Sequence, residues 1–135
     1  MSTVRLEAVQ PGSDDREIPM QPASQDIWDK KYRLKTKQGV AVDAGYIYAV
    51  DNSEIAKYDR RTGARVAAFK GDPAKFPHTN SCAVIARELV CAASNYPATP
   101  MTSQVEVFDP ATLTHLRTVP LGSQPGSLTW VDRWD

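Results

Sequence analysis

The chain has 135 residues, 41% of them hydrophobic, and its 16 Lys and Arg are cancelled by 16 Asp and Glu. That size fits one domain with a modest core. Zero net charge argues against a dedicated nucleic-acid binder, which needs a basic footprint; no apolar run reaches the roughly 18 residues of a membrane span, and residues 1–17 carry no apolar core of a secretory signal.

Residues 1–25 mix Pro11, Gly12, Pro19 and Pro22 with Ser and Asp, and their apolar residues define no face, so a mobile lead-in is expected. In residues 26–37, Trp28, Tyr32 and Leu34 alternate with Asp29, Lys31, Arg33 and Lys35, with Lys30 breaking the pattern. The alternation favours a strand over residues 27–36; the i, i+4 spacing of Trp28 and Tyr32 leaves a helix as the alternative.

From Gly39 a grammar of short strands begins. Residues 39–42 are an apolar run suited to an inner strand buried on both faces, Asp43-Ala44-Gly45 turns the chain, and further strands are expected at 46–50, 54–58 and 64–69. A second round places strands at 82–85, 89–93, 104–108 and 114–119, with a longer loop at 95–103. Residues 127–131 then repeat the inner strand. The expected inner apolar residues are Val40, Val42, Val50, Cys82, Val84, Val90, Val107 and Leu128, and helix is expected only in short turns such as residues 73–76.

The two rounds echo each other. Ile55-Ala56-Lys57-Tyr58-Asp59-Arg60-Arg61-Thr62-Gly63 lies over Val105-Glu106-Val107-Phe108-Asp109-Pro110-Ala111-Thr112-Leu113 at a spacing of about 50 residues. Each copy is an alternating strand ending in an aromatic and an Asp, whose carboxylate can accept from the N–H groups of the turn that follows. Repeats of about 40 to 45 residues with four short strands each read as β-propeller blades.

Three stretches carry a family resemblance: Tyr48-Ala49-Val50-Asp51-Asn52, residues 55–63, and Val119-Pro120-Leu121-Gly122-Ser123-Gln124-Pro125-Gly126. They resemble the repeat of YVTN-type β-propellers, which pairs a Tyr-Val-x-Asn strand with an apolar-x-Asp-x-x-Thr-Gly turn and a Val-Gly-x-x-Pro approach to the next inner strand. The chain departs from it with Asp51 before Asn52 and with Thr112-Leu113 in place of the second Thr-Gly. The resemblance implies an all-β chain in which residues 38–122 form two propeller blades, residues 123–135 start a third, and residues 26–37 form an N-terminal closing strand. Closing even a four-bladed ring takes about 160 to 180 residues, so an incomplete ring is expected. Its partners would be the missing blades, or further copies joined through open edges near Trp130. The function so implied is a ligand- or protein-binding scaffold of unassigned activity; the alternative is part of a propeller lactonase, lyase or cycloisomerase.

In such a ring, the loops before each inner strand and those between second and third strands open on one face. That face would gather Asp51, Asn52, Asn80, Asn95, Tyr96 and Gln124 around a small polar ligand, with His78 as candidate general base. Against this stands the plainer role of Asn, Asp and Ser as turn formers and of His78 as a cap on a loop carbonyl. His115, in an outer strand, is expected at the surface with no chemical role. Zinc signatures, phosphate loops and nucleophile elbows are absent from the sequence. No metal or cofactor is expected; a Ca²⁺ site from Asp51, Asn80 and Asn95 would hold one carboxylate, which makes it weak.

The cysteines leave two readings. If Ala86-Arg87 is a two-residue hairpin loop, Ile85 faces Glu88 and counting outward sets Cys82 opposite Cys91, within reach of a cross-strand disulfide; otherwise they are two small core hydrophobes. A bridge would imply an oxidising compartment, and the resemblance likewise favours a secreted or periplasmic setting.

Overall fold

The computed structural model describes residues 4–8, 30–34 and 36–134. Strands β1 (Val4–Ala8) and β2 (Lys30–Leu34) pair in parallel. Two four-stranded antiparallel sheets form the body: β3 (Gly39–Val42), β4 (Tyr46–Val50), β5 (Glu54–Asp59) and β6 (Arg65–Lys70), then β7 (His78–Ile85), β8 (Glu88–Ser94), β9 (Thr102–Phe108) and β10 (His115–Ser123). Within each sheet, consecutive strands are neighbours. Among the described residues there is no helix, hence none that could cross a membrane, and the sheets close no ring.

Short-range hydrogen bonds explain why the strands stop where they do. Asp43 Oδ1 accepts from Gly45 N (2.9 Å) and Tyr46 N (2.8 Å), fixing the β3–β4 turn. Asp59 Oδ1 accepts from Arg61 N and Thr62 N after β5, and Asp109 Oδ1 accepts from Ala111 N after β9. The backbone of the two turns matches bond for bond: Gly63 N to Asp59 O and Leu113 N to Asp109 O are both 2.8 Å. In the β7–β8 hairpin, Ala86 (φ 48°) and Arg87 (φ 65°) both take the left-handed conformation of a type I′ turn without the Asn or Gly that usually adopts it. The register sets Cys82 against Cys91, and the two are joined by a disulfide with Sγ–Sγ 1.98 Å.

Period-two alternation decides what meets between the sheets. Tyr48, Val50 and Ile55 of the first sheet pack with Cys82, Leu89, Cys91, Phe108 and Leu113 of the second. Phe69 sits edge-on to both Phe108 (centroids 4.8 Å apart) and Phe76 (5.1 Å). At the inner ends, a Cβ on Gly39 would lie 2.8 Å from Ser81 Cβ and 3.0 Å from the Asn80 carbonyl, so only glycine lets β3 approach β7 this closely. On the opposite face of the first sheet, Ile47 and Ala49 pack with Val40 and Tyr58 of the same sheet and are covered by Leu34 and Tyr32 of β2. The Tyr32 hydroxyl donates to the Arg60 and Arg61 carbonyls, tying β2 to the turn after β5.

Several expectations change. Val4–Ala8, assigned to the lead-in, is a strand; the rest of residues 1–25, and Trp28, lie outside the described residues. Of the expected inner residues, Val50, Cys82 and Val107 are buried, whereas Val42 is 49% exposed and Ala41 faces the core instead. The run 39–42 is covered along only part of its length, and its last residue emerges at the turn. Residues 127–131 join no ladder. With no neighbouring strand, their backbone groups bond to side chains: Leu128 N donates to Ser103 Oγ, Leu128 O accepts from Asn80 Nδ2 (2.6 Å), and Thr129 O accepts from Ser81 Oγ (2.8 Å).

Candidate functional site

One end of the two sheets collects the β4–β5 turn, the start of β7 and the β8–β9 loop. β7 begins at His78, earlier than its apolar content indicates, and its first residues pair with the end of β8, His78 opposite Ser94 and Thr79 opposite Ala93. Between Thr79 and Cys82 the register slips, so Asn80 and Ser81 together oppose Ala92. Such a bulge re-aims side chains, and here it accompanies the turn of Asn80 and Ser81 toward residues 127–129.

Three candidates converge. His78 Nδ1 is 3.0 Å from Asn52 Oδ1, and the same oxygen accepts from Gln38 Nε2 at 2.7 Å. As Asn52 Oδ1 can only accept, His78 Nδ1 is the donor, which leaves the Nε2 lone pair free to act. Partial burial holds the His78 pKa below its ordinary value, so the ring is neutral at pH 7. The Tyr96 ring lies 5.0 Å from the imidazole and is half exposed. Thr79 N donates to Asn52 O, locking the turn to the strand that carries the histidine.

The other candidates are engaged elsewhere. Asp51 Oδ1 accepts from Asn52 N, and its Oδ2 lies 3.9 Å from the Lys37 ammonium. Asn80 is buried with its amide on Leu128 O. Asn95 brackets its own loop, donating to Pro100 O and accepting from Thr102 N. Gln124 is exposed and donates to Leu121 O. Asp51 and Asn95 thus each spend a side-chain oxygen on a backbone N–H of their own loop. Among the described residues no three His, Cys, Asp or Glu side chains cluster as metal ligands would.

Two participants were missed. Gln38 stands just before an inner strand, the position that singled out His78 and Asn80, and the same rule applied to the first round would have found it. Glu106 is the second. Counting by twos from Phe108 puts it on the face between the sheets, where it is 2% exposed. Its Oε2 accepts from His115 Nε2 (2.7 Å) and Thr118 Oγ1 (2.6 Å). His115 is thus no idle surface residue: it is part-buried, edge-on to Phe76 and Phe108, and partner to a buried carboxylate.

The far end of the sheets is built as a lock. Lys57, buried, donates to Pro110 O (2.7 Å) with its ammonium 3.8 Å from the centre of the Tyr46 ring. Tyr48 donates to Asp43 Oδ2, and burial together with that carboxylate raises its pKa far above the ordinary value. Neither a protein-family model, nor a curated protein, nor a solved structure matches the chain at a significant level.

Proposed function

We propose that the chain is a YVTN-like β-propeller segment whose two sheets are blades, and that it serves as a noncatalytic scaffold holding a small polar ligand at the end carrying His78, Asn52 and Tyr96. The observation that carries the binding site is the shared Asn52 Oδ1, which fixes both the Gln38 amide and the His78 tautomer and leaves His78 Nε2 and the half-exposed Tyr96 ring for a ligand. Support for the blade reading lies in a repeated neighbour relation. Gly63 and Tyr58 of the first sheet face β2 through Tyr32 and Leu34, and their counterparts Leu113 and Phe108 of the second sheet face the first. Each unit rests on the one before it in the same way, as blades succeed one another around an axis. Further sheets, from other chains or other copies, would be the partners, and the Cys82–Cys91 bridge suits an oxidising compartment.

The test is an amide-resolved NMR titration of the intact chain with small lactones, sugar acids and polyols, with and without Ca²⁺. Shifts confined to residues around Asn52, His78 and Tyr96, lost in His78→Ala with the fold intact, support the site; shifts elsewhere or none overturn it. The enzyme reading, a lactonase, lyase or cycloisomerase, is favoured by the same free Nε2 on a neutral imidazole, which is what a general base requires. Lactone turnover that vanishes in His78→Ala would replace the scaffold reading with that one.

A further inference from the structure

Four side chains at the His78 end touch one another in a row. Gln38 Nε2 donates to Asn52 Oδ1 at 2.7 Å, His78 Nδ1 donates to the same oxygen at 3.0 Å, and the imidazole meets the Tyr96 ring with centroids 5.0 Å apart. Subtracting those bonds leaves a definite set of valences. Gln38 keeps its amide oxygen and one N–H, Asn52 keeps both N–H groups of its amide, and His78 keeps the Nε2 lone pair. Tyr96 adds a hydroxyl, and its ring is 51% exposed. Donors and acceptors are thus interleaved along the row. All four groups are uncharged, since partial burial keeps the imidazole neutral at pH 7. The charges beside them in sequence, Lys37 and Asp51, face each other at 3.9 Å. A carboxylate or phosphate placed on this row would give up hydration and gain no unmatched cation in return.

The Tyr96 ring is held in place by its own loop. Tyr96 N donates to Ser94 Oγ at 3.3 Å, Asn95 donates to Pro100 O and accepts from Thr102 N, and Ala98 N donates to Asn95 O. A loop tied at that many points presents its aromatic face with little ordering left to do on binding. The face of the ring carries negative charge density, which attracts the partly positive C–H bonds on one side of a saturated sugar ring. The imidazole stands at 42° to the Tyr96 ring, so the two form a corner rather than the parallel slot that grips a flat aromatic ring. We infer that the ligand of this site is an uncharged pyranose. Its C–H face lies on Tyr96, one hydroxyl donates to His78 Nε2, and its neighbours accept from the Asn52 amide and donate to the Gln38 oxygen. This rests on the binding reading above and narrows it. Each sugar hydroxyl both donates and accepts, so adjacent hydroxyls on a rigid ring match a row of interleaved donors and acceptors, and Gln38 becomes a specificity residue of the site.

The experiment is isothermal calorimetry with amide-resolved NMR on the full chain, using four probes: methyl β-D-glucopyranoside, methyl β-D-glucuronide, open-chain glucitol and uridine. The glucopyranoside is expected to bind and to shift the amides of Asn52, His78 and Tyr96. Glucitol offers hydroxyls without a ring face, and the glucuronide offers the ring with a negative charge; each is expected to bind about tenfold more weakly. Tyr96→Ala should cost the glucopyranoside about tenfold in affinity, whereas Tyr96→Phe keeps the ring face and should cost about threefold. Tyr96 is exposed, so neither change touches the core. Glucuronide, glucitol or uridine binding as tightly as the glucopyranoside overturns the inference, as does an unchanged affinity in Tyr96→Ala. A small lactone or polyol that gives His78-dependent shifts where the glucopyranoside gives none sinks only the pyranose assignment; no shift at these residues with any probe sinks the binding reading as well.

Discussion

The two sheets close their third and fourth strands with the same turn and fill its left-handed position in opposite ways. After β5 that residue is Gly63 (φ 75°); after β9 it is Leu113 (φ 58°). A Cβ at Gly63 would meet the Tyr32 ring at 2.5 Å, so β2 can press its tyrosine onto the turn only because nothing projects there. Leu113 projects fully and is buried between the sheets. One turn gives up side-chain packing for a close backbone approach; the other accepts a left-handed leucine, at a cost of about 1–2 kcal/mol, in exchange for core volume. Both turns keep an Asp that accepts from the N–H two residues on, a Thr hydroxyl that accepts two residues on and the same backbone bond, so the hydrogen-bond scaffold dictates the turn and the neighbouring unit dictates the residue. Buried polar side chains show a similar contrast: Lys57 of the first sheet reaches across to carbonyls of the second, while Glu106 of the second is held by His115 and Thr118 of its own sheet.

The largest effect should come from breaking that second arrangement. His115→Leu removes one of the two donors to the buried Glu106, leaving Thr118, and a loss of about 2 kcal/mol is expected by urea denaturation; Glu106→Leu with His115→Leu should recover most of it. A double variant as unstable as the single one would mean that Glu106 does not need its partner. Exchanging the turn residues comes next. Leu113→Gly relieves the backbone but empties a core site, a net loss of about 2 kcal/mol, and Gly63→Ala should cost about 1–2 kcal/mol through Tyr32 and the positive φ. If Tyr32→Ala erases none of the Gly63→Ala penalty, the close approach is not what keeps the glycine.

The β7–β8 hairpin has no such compensation, since Ala86 and Arg87 are both exposed at positive φ. Ala86→Asn with Arg87→Gly should therefore stabilise the chain by about 1 kcal/mol, seen as a higher Tm; a lower Tm would show that the turn geometry is different. The smallest effect concerns pH. Burial lowers the folded pKa of His78, so between its ordinary value near 6.5 and that lower value the unfolded chain binds more protons than the folded one. Stability therefore falls as pH drops through about 6.5, and stops falling on this account below the folded pKa. The Tm difference between pH 7.5 and pH 5.5 should shrink in His78→Gln; an unchanged difference would assign the acid sensitivity to other groups.

What could be read from the sequence was what is local. Asp59 and Asp109 announce their turns because the bonds they make span two or three residues, and the Cys82–Cys91 register follows from counting out of a two-residue loop. What could not be read depends on the neighbour. Asn52, Asn80 and Asn95 look alike in the sequence, yet one orients His78, one holds Leu128 and one brackets a loop, because a bulge and two different partners separate their surroundings. Residues 127–131 have the pattern of a strand, but a ladder needs a second strand beside it.

Gly39 has a bearing on shape as well as on contact. It lies where β3 and β7 come together, at the narrow end of the wedge between the sheets, and the Phe69, Phe76 and Phe108 rings prop the wide end apart. The pair works as two leaves on a pin, with the glycine as the pin and the aromatic rings as the spacer. A methyl group at position 39 would thicken the pin without changing the spacer, and the leaves would stand more nearly parallel. The size of one side chain at residue 39 therefore sets the angle at which the two sheets diverge.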